Sequence, residues 1–163
     1  MRGLLLSWVV LLSACGPTPE EQAAADARDV AEIKANQTPP PIPLKLDPIR
    51  YREIEKFDLY GAGCAFAPDG GGLAAVALAM GEEGYLIRDG ELLRLAPDAG
   101  STELPYLARQ KYTGREYSFT LELDEASGKQ SGEETSDYRG ELTVRDSYDR
   151  IVYSAKGLTQ CGA

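Results

Sequence analysis

The side chains most open to covalent chemistry are three cysteines, at positions 15, 64 and 161, in a 163-residue chain that has no histidine. Imidazole is the commonest general base, the usual activator of nucleophiles and the commonest zinc ligand, so its absence moves the expectation away from catalysis and from zinc. Carboxylates remain, at Glu82-Glu83, Glu133-Glu134 and between Asp146 and Asp149. Calcium takes six to eight oxygens from an organised loop, and no such loop pattern surrounds these acids, which read as solvated turns. Gly70-Gly71-Gly72 lacks the lysine and the following helix of a phosphate-binding loop. Ser127-Gly128-Lys129 sits in a polar stretch with no candidate base nearby. No catalytic residue, metal ligand or cofactor site is therefore expected.

The formal net charge is −9. An acidic surface disfavours nucleic acid and anionic headgroups and suits basic partners or bound cations. At the amino terminus, Met1-Arg2 precedes an apolar run from Gly3 to Leu12, and Leu12-Ser13-Ala14-Cys15 follows. The run has the length of a secretory leader and is too short to span a bilayer. This start resembles the lipobox signal of bacterial lipoproteins. The resemblance implies cleavage after residue 14, lipidation of Cys15, and attachment to a membrane through several acyl chains, since one chain alone anchors only marginally. Gly16, where an aspartate would imply retention at the inner membrane, implies the outer membrane, with the protein facing the periplasm. Once Cys15 carries lipid, Cys64 and Cys161 remain. The oxidising compartment that the resemblance implies favours a structural disulfide between them. Their separation lacks the CxxC spacing of a redox or metal pair.

These residues need elements to hold them. Residues 1–14 read as the leader and 15–45 as a lipidated terminus with an Ala- and Pro-rich tether. Within it, residues 20–36 have helical composition but only Val30 and Ile33 as an apolar stripe, and Pro39-Pro40-Pro41-Ile42-Pro43 favours extended geometry. A domain is expected over residues 46–163. Asp47-Pro48 is a helix start, with Tyr51, Ile54 and Phe57 on one face. Strands follow: residues 63–67, a continuous apolar strand over 73–80, and 85–88 paired with 91–95 across the Asp89-Gly90 turn. A two-residue turn pairs Arg88 with Glu91 and Ile87 with Leu92. It places Leu86, Leu93 and Leu95 on one face and Tyr85, Ile87 and Leu92 on the other, which needs a cover such as the Asp47 helix. Tyr117, Phe119, Leu121 and Leu123 alternate with polar residues. Residues 126–136 read as a mobile polar loop, 141–145 as a strand, and 150–155 as a strand with Ile151, Tyr153 and Ala155 on one face. Seven or eight short strands with tight turns read as a mainly β fold, a small antiparallel barrel or sandwich after a short helix.

The order Cys64, then Thr113-Gly114-Arg115-Glu116-Tyr117, then Cys161 resembles the C-type membrane-bound lysozyme inhibitors, small barrels with an early cysteine, a Ser-Gly-x-x-Tyr motif and a late cysteine. Thr113 stands at the serine position. The resemblance implies that the motif residues Thr113, Gly114, Arg115 and Tyr117 contact a basic lysozyme. The residues by themselves read more simply, as a Thr-Gly turn leading into a strand whose first tyrosine packs inward. Three functions stay open: a non-catalytic binding or structural module of the envelope, a lysozyme inhibitor, and a barrel that holds a small ligand in an apolar cavity.

Overall fold

The computed structural model describes residues 18–37 and 39–163. The segment expected to be a leader, Cys15 and Gly16 lie outside the described residues. The chain forms two units, Met1–Pro40 and Pro41–Ala163. In the first, α1 (Pro19–Gln37) buries no residue, in keeping with a composition that favours helix but supplies little to pack. Its first turn is closed by Thr18, whose Oγ accepts from the Glu21 N–H at 3.2 Å while the Glu21 carboxylate accepts from the Thr18 N–H at 2.8 Å.

The second unit is a closed antiparallel barrel of eight strands in sequence order. The strands are β1 (Gly63–Pro68), β2 (Ala77–Met80), β3 (Gly84–Arg88), β4 (Glu91–Pro97), β5 (Lys111–Thr113), β6 (Tyr117–Gln130), β7 (Thr135–Asp146) and β8 (Ile151–Gly162). Closure comes from β1 pairing with β8, and Cys64 faces Cys161 directly across that seam. The two are joined as a disulfide spanning 97 residues of chain. The β3–β4 hairpin has the register that its two-residue turn dictates, Arg88 opposite Glu91 and Ile87 opposite Leu92. Asp89 and Gly90 both take positive φ, at 53° and 77°, as a turn matched to strand twist requires.

Alternation divides the apolar residues between two sides of the sheet. Inside lie Phe66, Leu86, Leu95, Tyr112, Phe119, Leu121, Leu142 and Val144, all buried, with Leu93 and Tyr117 packed against them. Gly84 has no side chain because the stacked rings of Tyr112 and Phe119, 4.8 Å apart, occupy that space. Outside, Ile87 and Leu78 are buried together with Ile49 and Leu59, and Tyr85, Leu92, Ile54 and Phe57 pack around them. The cover for the outer face of the hairpin is thus the segment carrying α2 (Tyr51–Phe57).

Both ends of the barrel are plugged. At one end the entering chain crosses the opening. Leu44 N–H donates to Val152 O, Asp47 N–H to Ile87 O, and Ile49 N–H to Ala75 O. Leu44 and Leu46 point into the core as they pass. At the other end residues 98–110 fold under the strands, burying Leu104 and Ala108. A 3-10 turn over Pro105–Leu107 there holds Tyr106 and Leu107 at φ 60° and 62°. Its Tyr106 hydroxyl donates to Glu134 O at 2.5 Å.

Several local expectations are corrected. The helix starts at Tyr51 rather than after Asp47, because the Asp47 carboxylate is taken by the Gly90 N–H at 2.8 Å and holds the hairpin turn instead. Tyr51 leaves the apolar face, its hydroxyl bonded to Glu55. The strand expected over residues 73–80 begins only at Ala77. Leu73 is 92% exposed, and Ala75 is drawn into a bridge with Ile49. Residues 126–136 are strand for most of their length, because cross-strand pairing resumes at Lys129 opposite Asp137 after a bulge. Ile151 is 52% exposed while Val152 is buried. A register shift next to Val144 inserts Val152 and resets the alternation.

Candidate functional site

Thr113 ends β5 and Tyr117 begins β6. Between them the chain reverses, with Gly114 N–H donating to Tyr117 O at 2.8 Å. Thr113, Arg115 and Glu116 are exposed, and Gly114 and Tyr117 are half-buried. Gly114 runs close against β4, where an added Cβ would meet Leu95 Cγ at 3.1 Å and Arg94 O at 3.3 Å. Sequence neighbours are thereby displayed on one tight turn, and Gly114, Arg115, Glu116 and Tyr117 form one wall of a cleft of about 150 Å³ whose other wall is Leu92, Leu93, Arg94 and Leu95.

Arg88, from the neighbouring hairpin, holds this turn in place. Its Nη1 donates to the Tyr117 hydroxyl at 2.7 Å and to Glu116 Oε2 at 3.2 Å, and its guanidinium lies 5.4 Å from the Tyr117 ring centre. The bond to Tyr117, ahead of the Glu116 charge, shifts the Arg88 pKa upward. These contacts sit at the surface, where an ion pair contributes at most about 1 kcal/mol, so they orient the turn more than they stabilise the fold. The Tyr117 ring packs against the core as alternation requires, while its hydroxyl reaches the surface. Arg88 had no signal in the sequence, because its partner lies 29 positions away across two strands.

Two of the acidic clusters hold the turns they occupy, and Glu133-Glu134 lies between β6 and β7. Glu83 accepts from the Tyr85 hydroxyl at 2.9 Å and pairs with Arg94, and these contacts, the tyrosine first, lower its pKa. Asp146 binds the Arg150 guanidinium at 2.6 Å and accepts the Tyr148 and Arg150 N–H groups, closing the β7–β8 turn. Ser127 accepts the Arg139 N–H at 2.7 Å and donates to Asp124 O, which staples the bulge in β6. Among the described residues no three of His, Cys, Asp or Glu converge as a metal site.

At the opposite end of the barrel, sequence reasoning missed a second feature. A cleft of about 440 Å³ lies between residues 102–110 and the lower half of β6, lined by Glu103, Leu104, Pro105, Leu123, Glu125 and Tyr138 among others. Only the length of β5 could have revealed it. β5 pairs with residues 118–120 of β6 alone, and a three-residue strand is invisible to periodicity.

No family model, curated protein or solved structure matches this chain.

Proposed function

We propose that this chain is a lipid-anchored, non-catalytic module of the cell envelope, held at the outer membrane through Cys15 and acting by binding at its surface in the periplasm. One observation carries the surface part of this reading. The barrel interior is filled by Phe66, Tyr112, Phe119, Leu121, Leu142 and Val144, and Leu46 and Leu104 close its two ends. A ligand-holding barrel needs an apolar cavity of roughly 300 Å³ or more, and the packed interior weighs against one. What remains for recognition is the outside. The anchor rests on the Leu12-Ser13-Ala14-Cys15 pattern. The Cys64–Cys161 disulfide suits the same oxidising compartment. Expression with labelled palmitate tests the anchor. Label should enter the full chain and vanish in Cys15→Ser, and an intact, unmodified amino terminus in the cytosol would refute it.

A second reading, inhibition of a lysozyme, is favoured by the exposed turn at residues 113–116 and by its firm seating on Arg88. The acidic net charge suits a basic enzyme. Purified chain at micromolar concentration should slow cell-wall lysis by a C-type lysozyme, and Thr113→Glu together with Arg115→Glu should abolish the effect. Undiminished lysis in the presence of the unaltered chain removes this reading.

A further inference from the structure

Below Leu121, among the described residues, β6 has a sheet neighbour on one side only. Leu121 N–H donates to Gln110 O at 2.8 Å, and the pairing of β5 with β6 extends only over residues 118–120. Backbone groups alternate sides along a strand as far as Asp124, where the bulge begins. Leu123 therefore directs its N–H and C=O, and Glu125 its N–H, toward the side on which Leu121 met Gln110, while the Glu125 carbonyl lies near Gly128. There the chain of residues 102–110 swings away to plug the barrel, and the cleft of about 440 Å³ opens instead. An exposed edge of this kind is a template for an added strand. The cleft floor offers Leu104, Leu123 and Tyr138 to an apolar side chain.

The charge around the edge selects its occupant. Glu122, Asp124 and Glu125 lie along it, and among the described residues none of them is in an ion pair. A second copy of this chain laid edge to edge would bring these carboxylates against their own kind, which cross-strand pairing penalises. A basic strand would meet opposite charges at Glu122, Asp124 and Glu125, the exposed positions between Leu121 and Ala126, with Lys129 lying beyond the bulge. We propose that the lower edge of β6 takes an extended, lysine- or arginine-rich segment of a partner protein as an added strand, with one of its apolar side chains seated against Leu104, Leu123 and Tyr138. This rests on the proposed function of surface binding, and names the surface and the chemistry of the partner.

The probe is a fluorescent ten-residue peptide alternating lysine and valine, titrated against the full chain in detergent and read by anisotropy and by amide chemical shifts. Saturable binding tighter than roughly 1 mM is expected, with shifts centred on residues 121–125, and none with the peptide in which glutamate replaces lysine. In Glu125→Pro the lost N–H faces the free side, so the β6–β7 ladder is spared while affinity falls roughly fivefold or more. Glu125→Lys keeps the backbone and serves where the proline variant does not fold. It should weaken binding several-fold and flatten its salt dependence. Absence of binding, equal binding of the acidic peptide, or shifts confined to residues 113–117 overturns the proposal. A dimer in sedimentation that Glu125→Pro dissolves overturns it too, making a second copy the occupant. A chain that carries lipid yet fails these tests sinks the edge assignment alone, whereas a chain without lipid sinks the proposed envelope function whatever the peptide does.

Discussion

Replacing Thr159 by valine should stabilise the barrel. Thr159 lies on β8 opposite Tyr138, with its side chain inward and 0% exposed. Its hydroxyl is buried without a hydrogen-bond partner among the described residues. The neighbouring Gly140 leaves that oxygen its space, since a Cβ there would stand 2.4 Å from it. A hydroxyl taken from water with no replacement bond costs about 1–3 kcal/mol. Valine keeps the branched shape that suits a strand and puts a methyl where the oxygen was, so most of that cost is recovered, about 1–2 kcal/mol. Unfolding entropy near 2.1 cal/mol/K per residue, over roughly 120 residues, gives about 250 cal/mol/K, so each kcal/mol raises Tm by about 4 °C. The expected gain is therefore about 4–8 °C by circular dichroism with the disulfide intact, matched by a higher urea midpoint at unchanged m. Thr159→Ser, which keeps the hydroxyl and loses the methyl, should lower Tm instead. A Tm for Thr159→Val below that of the unaltered chain would refute the reasoning. It would mean that the hydroxyl is bonded in solution, most simply to a water lodged beside Gly140.

Three further outcomes follow from the same packing. Removing the disulfide with Cys64→Ala and Cys161→Ala releases a loop of nearly 100 residues, and the loop-entropy model assigns such a bridge about 4.7 kcal/mol. Against a total of about 5–15 kcal/mol this should leave the barrel marginal in a urea titration, and a loss under about 1 kcal/mol would show that the β1–β8 ladder holds the seam unaided. Gly84→Ala places a Cβ 2.6 Å from the Tyr112 ring and 2.8 Å from Phe119. It should cost about 1–3 kcal/mol by overpacking, and an unchanged Tm would contradict the ring stack. On acidification, Asp69, Glu83 and Asp146 have folded pKa values lowered from ordinary values of 3.8, 4.5 and 3.8, through Arg139, through Tyr85 with Arg94, and through Arg150. Their unfolded forms take up protons first, so the stabilisation is complete well above pH 4.5 and is lost as pH falls through the lowered values. Tm should thus be flat from pH 7 to about 5.5 and decline below about 4.5, whereas a Tm that rose on acidification would reverse the sign.

Local chemistry alone determined a good deal of this protein. Asp89-Gly90 set the register of its hairpin because few residues tolerate two successive positive φ angles. The alternation of Tyr117, Phe119, Leu121 and Leu123 set which face of β6 is core. The Thr113-Gly114 pair marked the turn that became the first candidate site. Tertiary structure decided what depends on distant partners. Residues 126–136 are too polar to read as strand, and they extend only because β7 offers them a ladder beyond the bulge at Ser127. Asp47 would cap a helix in isolation, but in the fold the Gly90 N–H lies within its reach. Val152 displaces Ile151 from the core because one extra residue shifts the pairing with β7. The unpaired edge of β6 exists because β5 is short and the chain before it turns away to plug the barrel. Side-chain pattern reports how a segment meets its own two faces; barrel closure, end plugs and open edges are settled by which backbone groups find partners far along the chain, and that information is not local.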